Sequence, residues 1–183
     1  MLVWSIRQTL PITRTVHDMH LSTFPLRVLV ASAAIHCICS ASVVAQERAQ
    51  TEQARVQKAV DVLAARLGIA EAVHVSLIPS NRLLMSVEPT EHTFELKVEE
   101  GWADTLDDAE LEAAVAHELG HVWVFTHHPF LQTEQLANEV AMRIVSAKQL
   151  AQLYDKVWKR TNVKGDLARF LGPEAARGLA SPD

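Results

Sequence analysis

Apolar residues recur along this chain at two spacings, and the change from one to the other marks out the elements. From Gln46 to Leu67 the set Val56, Val60, Leu63 and Leu67 falls at intervals of three and four, which places it on one stripe of an amphipathic helix laid against a core. Gly68 follows in the position where helices commonly end. The period then shortens to two. Val73 to Ile78 is rich in β-branched residues with Val73, Val75 and Leu77 on one side, and Pro79-Ser80-Asn81 reads as a turn. Leu83 to Val87 predicts a second short strand, closed by Glu88-Pro89. Phe94, Leu96 and Val98 alternate with Glu95, Lys97 and Glu99, the clearest strand in the chain, with one buried and one wet face.

The longer period returns after Gly101-Trp102. Asp107 with Glu110 three residues on has the form of a capping box, and Leu111, Val115, Leu119 and Val122 supply a core stripe for a helix that Phe125 to Pro129 brings to an end. Gly120 within it lowers helix propensity by about 1 kcal/mol relative to alanine, which points to a place where a neighbour packs too close for a side chain. A second helix is expected from Phe130 to Val145, with Leu136, Val140 and Ile144 toward the core and Glu134, Asn138 and Ala141 on another side. Ser146 caps a third, Ala147 to Lys159. Asn162 to Gly165 breaks it, Asp166 to Leu171 is one more short helix, and Glu174 to Asp183 is expected to fray. The predicted class is α+β: a small three-stranded sheet, antiparallel or mixed, then a long helix and a C-terminal helical part.

Composition refines this in three ways. At 183 residues and 49% hydrophobic the chain has the material for one domain, with or without a tail. The net charge of -5 comes from mixed charges without a lysine and arginine block, which argues against a nucleic-acid partner. The first 45 residues read as an export signal. Arg14 and Arg27 precede a mostly apolar or small run, Val28 to Cys39, and Ser42-Val43-Val44-Ala45 offers a cleavage site after Ala45. Met1 makes this signal long, and Met19 is an alternative start. An uncleaved anchor is the rival reading, although the run is shorter than the ~20 residues of a comfortable span and contains His36. The domain proper is then 46–183, periplasmic or secreted, without a membrane span and with a net charge of about -7. Cys37 and Cys39 both leave with the signal, so any metal must be held by histidine and carboxylate.

The candidate chemistry sits in His117-Glu118-Leu119-Gly120-His121. Residues four apart share a helix face, so His117 and His121 can offer imidazoles to one ion. Glu118 beside them is placed to take a proton from a water on that ion, the pattern of zinc peptidases. A catalytic zinc site takes three protein ligands and keeps one position open. Glu134 is the leading third ligand, because the turn at His128-Pro129 lets the next helix fold back. Asn138, one turn further, then lies where it can orient a ligating histidine. Glu139 is a second candidate, with Arg143 one turn away where an acceptor is wanted. His127 is a third, six residues after His121, but Val124 stands where a sharp chain turn would need glycine. His92, His128, Arg143 and Tyr154 are candidate oxyanion donors, none of them assigned. Trp102, Trp123 and Trp158 are expected in the core or at its edge.

His117 to His121, followed by Glu134-Gln135-Leu136-Ala137-Asn138, resembles the short gluzincin metallopeptidases. The pattern is similar to the ImmA/IrrE-type proteins, which carry glutamate, two residues, alanine and asparagine after the same histidine motif. It is also similar to the CAAX prenyl protease and HtpX-like group, which usually has aspartate at the place of Asn138. The resemblance covers about Asp107 to Val145. It implies a zincin-like fold in which a metal helix and a glutamate-bearing helix stand beside a small sheet whose edge strand binds an extended peptide. It also implies peptide-bond hydrolysis. The Phe94 to Val98 strand is the expected edge for that pairing. The function expected is an exported Zn2+-dependent endopeptidase acting on a peptide or protein substrate. The rival is a zinc-binding interaction or assembly factor without turnover, against which the uncoordinated carboxylate of Glu118 argues.

Overall fold

The computed structural model describes residues 31–163 and 165–180. The chain divides into two units between Ile38 and Cys39. Most of the expected export signal lies outside the described residues, and the sheet, the cavity and the helices around it belong to the second unit. Among the described residues no helix is long and apolar enough to cross a membrane.

Helix α1 (Ala31–Leu67) begins earlier than the Gln46 expected and continues through Ala45 without a break. No glycine or proline interrupts 31–67, and alanine is abundant there, so nothing local stops the helix. Its expected stripe is the observed one: Val56, Val60, Leu63 and Leu67 are all buried. Gly68 ends it with φ +70°, a left-handed conformation that glycine adopts without steric cost.

Strands β1 (Val73–Ile78), β2 (Met85–Pro89) and β3 (Phe94–Glu99) form one mixed sheet in the order β1-β3-β2. β2 starts two residues later than expected because Leu84 takes a positive φ of 65°, which is not strand geometry. The larger correction concerns β3. It pairs parallel with β1 and antiparallel with β2, so both of its backbone edges are used and it cannot be the edge that receives a peptide. Alternation reveals which face of a strand is buried, and β3 has the expected one in Phe94, Leu96 and Val98. It does not reveal which strands are neighbours.

The two outer edges differ. That of β1 is covered by α1, where the Gln57 side chain accepts from the Val75 N–H at 2.9 Å and donates to the Val73 carbonyl at 3.0 Å, and Gln53 donates to the Val75 carbonyl at 2.7 Å. The edge of β2 lies along the main cavity, which Met85, Ser86, Val87 and Pro89 help to line. Proline at the end of this strand is in keeping with an edge position.

Helix α2 (Asp108–His127) carries the capping box expected of Asp107 and Glu110, and its stripe of Leu111, Val115, Leu119 and Val122 is buried. A second buried carboxylate ties α1 to the approach of α2: Glu52 accepts from the backbone N–H groups of Gly101 and Ala103, each at 2.9 Å. Helix α3 (Glu134–Ala141) is shorter than the Phe130 to Val145 expected. Thr133 caps it by accepting from the Leu136 N–H, and Phe130 lies in the connection, 98% exposed. Helix α4 (Ala147–Thr161) has the expected Ser146 cap and ends at Asn162 in left-handed geometry. α5 (Leu167–Leu171) follows the Asp166 cap. The final stretch is helical, α6 (Pro173–Ala180), where fraying was expected. Gly172, at φ +84°, stops α5, and Pro173 then occupies a first helical position, which suits its fixed φ and missing N–H.

Candidate metal centre

α2 presents His117, Glu118 and His121 to a cavity of about 650 Å3 whose far side is formed by β2 and α4. α3 lies across α2 at unusually short range. A Cβ built on Gly120 would stand 2.2 Å from the Ala137 carbonyl oxygen, so glycine is what permits this approach. Ala137 sits between Glu134 and Asn138 on α3, and the close approach brings both of these side chains to the histidines.

The result is a compact trio. His117 Nε2 lies 3.3 Å from His121 Nε2 and 3.3 Å from Glu134 Oε2, and His121 Nε2 lies 3.7 Å from the same oxygen. Ligands at about 2.0–2.1 Å in a tetrahedron are separated from one another by about 3.4 Å. The three atoms therefore stand at the corners that a zinc-class cation requires, and among the described residues this is the group of such side chains whose ligand atoms converge. The donor set, two imidazoles and one carboxylate, also suits zinc.

Asn138 orients the ring of His117. Its side chain is fully buried, with Nδ2 donating to the Phe170 carbonyl at 2.9 Å and to the Tyr154 hydroxyl at 2.7 Å. A carbonyl only accepts, so the amide nitrogen faces Phe170 and Oδ1 faces His117 Nδ1 at 2.9 Å. Nδ1 therefore carries a proton, and Nε2 is the ring nitrogen left to face the trio. Asn138 thus occupies the orienting position expected of it. The Phe170 carbonyl, a backbone atom more than thirty residues downstream, left no sign in the side-chain pattern.

Electrostatics sorts the acids. Burial raises the pKa of Glu118 above the usual carboxylate range, and the nearby histidines and a hydrogen bond from the Val87 backbone only partly offset it. Hydrogen bonds from His117 and His121 hold the Glu134 carboxyl well below that range. For His117, burial works against the charged ring, but the hydrogen bond to Glu134 and the charges of Glu118 and Glu134 outweigh it, so its pKa is raised. Burial also raises the Tyr154 hydroxyl, which stays protonated. Two carboxyls in one site are thereby pushed in opposite directions, which suits a proton acceptor (Glu118) and a permanently ionised ligand (Glu134).

The other candidates are elsewhere. Glu139 is exposed and accepts from Gln135 at 3.0 Å. His127 stacks on Trp123 with ring centres 4.1 Å apart, and its Nδ1 donates to the Trp123 carbonyl. Arg143 covers the same indole at 4.3 Å, and His128 meets it edge-on. His92 is exposed in the β2–β3 turn. Tyr154 is the exception: it lines the cavity, and its hydroxyl accepts from Asn138, a contact that leaves the O–H proton able to donate. Trp102 and Trp158 are core residues that also form cavity wall, which their apolar spacing did not distinguish from plain packing.

No protein-family model matches this chain, and no curated protein matches it in sequence. Two solved structures are similar to it. One is the metallopeptidase zymogen abylysin of Pyrococcus abyssi, 14% identical, with a TM-score of 0.47 over 61% of this chain and 99% of that one. The other is the metallopeptidase zymogen jannalysin of Methanocaldococcus jannaschii, also 14% identical, with a TM-score of 0.45 over 57% of this chain and 95% of that one.

Proposed function

We propose that this chain is an exported zinc endopeptidase, with His117, His121 and Glu134 as metal ligands and Glu118 as general base. The observation that carries the reading is the triangle of His117 Nε2, His121 Nε2 and Glu134 Oε2, with edges of 3.3, 3.3 and 3.7 Å, open to a large cavity beside the Glu118 carboxylate, which is not one of the three ligand groups. A purely structural site has no use for that carboxylate, nor for a cavity.

Zinc held by the trio supplies a Lewis acid for the scissile carbonyl and lowers the pKa of a water toward about 7. The chain's own groups do the rest. Glu118, its basicity increased by burial, accepts the water proton at its carboxylate and returns it to the departing amine. Asn138 keeps the His117 ring in the tautomer and orientation that ligation needs. The peptide lies extended along the outer edge of β2, the edge that α1 leaves uncovered, so that backbone pairing sets its register beside Glu118. A periplasmic or secreted location is part of the proposal, and the signal-like sequence pattern of residues 1–45 is what supports it.

Replacing Glu118 with Gln is the deciding experiment. The variant should retain its zinc, measured by atomic absorption, and lose at least about a thousandfold in peptide hydrolysis, within the range expected for a lost general base. Full activity in Glu118→Gln, or a wild-type protein that neither holds a metal nor responds to a chelator, would sink the reading.

A further inference from the structure

Apart from the metal trio and Glu118, the charged side chain lining the cavity is that of Arg82. A divalent ion at the trio would balance the carboxylates of Glu118 and Glu134, which leaves the guanidinium as the unbalanced charge. It is also uncommitted within the molecule. Arg82 is exposed, and among the described residues no hydrogen bond, ion pair or ring contact engages it. Other arginines are occupied: Arg55 by the Ala103 carbonyl at 3.0 Å, Arg66 by the Ile144 carbonyl at 2.9 Å, Arg160 by Glu99 at 3.3 Å and Arg143 by the Trp123 ring.

The side chain is free, but the backbone that carries it is fastened on both sides. Asn81 Oδ1 accepts from the Leu83 N–H at 3.0 Å, and Asn81 Nδ2 donates to Ser86 Oγ and to the Lys97 carbonyl, each at 3.0 Å. The Asn81 N–H donates to Glu99 Oε2 at 3.0 Å. Leu84 pins the other side: its N–H donates to the Asn81 carbonyl at 2.9 Å, its carbonyl accepts from the Glu99 N–H at 2.8 Å, and its side chain is buried. Leu84 holds the left-handed φ of 65° that leucine rarely takes, and these contacts keep it there. With Leu84 turned inward, Arg82 and Leu83 face outward at the cavity rim, just before β2 begins. A backbone hydrogen bond from Val87 to Glu118 sets the middle of β2 beside the general base. The turn therefore offers a cation at a fixed distance from the metal centre, along the strand edge.

We propose that Arg82 is a specificity-determining residue that binds a carboxylate of the substrate, either an aspartate or glutamate side chain or the chain's C-terminus, a few residues from the scissile bond. Guanidinium and carboxylate match in geometry as well as charge. A peptide paired with β2 advances one residue for each residue of the strand, so a carboxylate about two to four residues from the bond cut beside Val87 comes within reach of Arg82. The inference rests on the peptidase function proposed for the metal centre. An exposed ion pair of this kind is worth up to about fivefold in affinity or kcat/KM, and reversing the sign of one partner about twentyfold or more.

The test uses the zinc-loaded full chain with a mixture of acetylated decapeptides, one set amidated and one with free C-termini, and cleavage sites are read by mass spectrometry. If a side chain is recognised, Asp or Glu should predominate at one fixed position in the amidated set. If the chain end is recognised, cuts should fall at a fixed distance from it and amidation should suppress them. Arg82→Glu should reverse the choice, toward lysine at that position or toward amidated ends, and change the ratio of kcat/KM between acidic and basic peptides at least about twentyfold. Arg82→Lys should keep the sign of the preference. Each result is a ratio within one variant, so a general loss of activity cancels. In the wild-type protein the ratio should shrink as salt is raised from about 0.05 to about 0.5 M, because the pair is exposed. Independently of turnover, Glu118→Gln titrated by calorimetry with a peptide of alternating alanine and glutamate should bind at least about fivefold more tightly than Glu118→Gln combined with Arg82→Glu. Cleavage without preference for a carboxylate, or a ratio that Arg82→Glu does not move, overturns the role of Arg82 while leaving the peptidase intact. If the wild-type protein cleaves nothing, the peptidase reading is what fails, and equal affinities in the titration then overturn the role of Arg82 as well.

Discussion

Asn138 shows how a single side chain can be half legible. Its place one turn after Glu134 predicts an acceptor for a ligating histidine, and the contact to His117 Nδ1 is there at 2.9 Å. What spacing could not supply is the reason the amide points the right way, since that depends on the Phe170 carbonyl and the Tyr154 hydroxyl. Those groups arrive from α5 and α4 by tertiary packing, and a backbone oxygen has no residue type to betray it. Glu134 is similar: sequence offers it beside Glu139 and His127, and packing on α2 brings it in while His127 is held on Trp123. The consequence at this scale concerns Asn138→Leu. It removes the acceptor, leaves the buried His117 Nδ1–H without a partner, and frees the ring to turn. Zinc affinity should fall about ten- to a hundredfold, the usual effect of losing such a partner, as measured by competition with a chromophoric chelator. An unchanged affinity would mean that the amide does not orient the ligand.

Between elements, the decisive feature is the contact of α2 with α3. Gly120 stands out in the sequence because it costs a helix stability without an evident local purpose, and the structure gives the purpose in the Ala137 carbonyl. Periodicity serves well wherever one element meets the core as a whole. The stripes of α1 and α2, the buried face of β3 and the Ser146 cap are all as expected. It serves poorly for neighbour relations and for ends. Strand order depends on which connection crosses which strand, so alternation alone cannot tell that β3 is the centre of the sheet and not its edge. Phe130 and Leu131 are apolar and so extend the expected second helix backwards, whereas Pro129 and the Thr133 cap place the start of α3 at Glu134. A test of the close approach is Gly120→Ala. On propensity alone it should stabilise α2 by about 1 kcal/mol, but the added methyl overlaps backbone, which a side-chain rotation cannot relieve. Overpacking of this kind costs about 1–3 kcal/mol. The variant should therefore be less stable than the parent in urea denaturation, and it should bind zinc more weakly because Glu134 is pushed away. A stabilised variant would show that the two helices are further apart.

For the whole molecule, the trio matters because its ligands come from two helices joined by an exposed connection. α1 is fastened to β1 through Gln53 and Gln57 and to the start of α2 through Glu52 and Arg55, so that half has side-chain ties of its own. The pairing of α2 with α3 relies on close packing, on the hydrogen bond of His117 to Asn138 and, under the proposed function, on an ion shared by His117, His121 and Glu134. Residues 46–183 contain no cysteine, so no disulfide within them can take over that task. An ion that binds the folded form alone adds RT ln(1 + [L]/Kd), about 4 kcal/mol at a thousandfold excess over Kd. For a chain of this size that corresponds to a rise of about 8–16 °C in melting temperature. Stripping the metal with a chelator should lower the calorimetric melting temperature by that order, and restoring zinc should reverse it. Glu134→Ala should melt near the stripped protein whether or not zinc is added, since two imidazoles alone hold the ion far more weakly. If chelation leaves the wild-type transition where it was, the three side chains share no ion in solution, and their convergence is only a pair of histidines hydrogen-bonded to an acid.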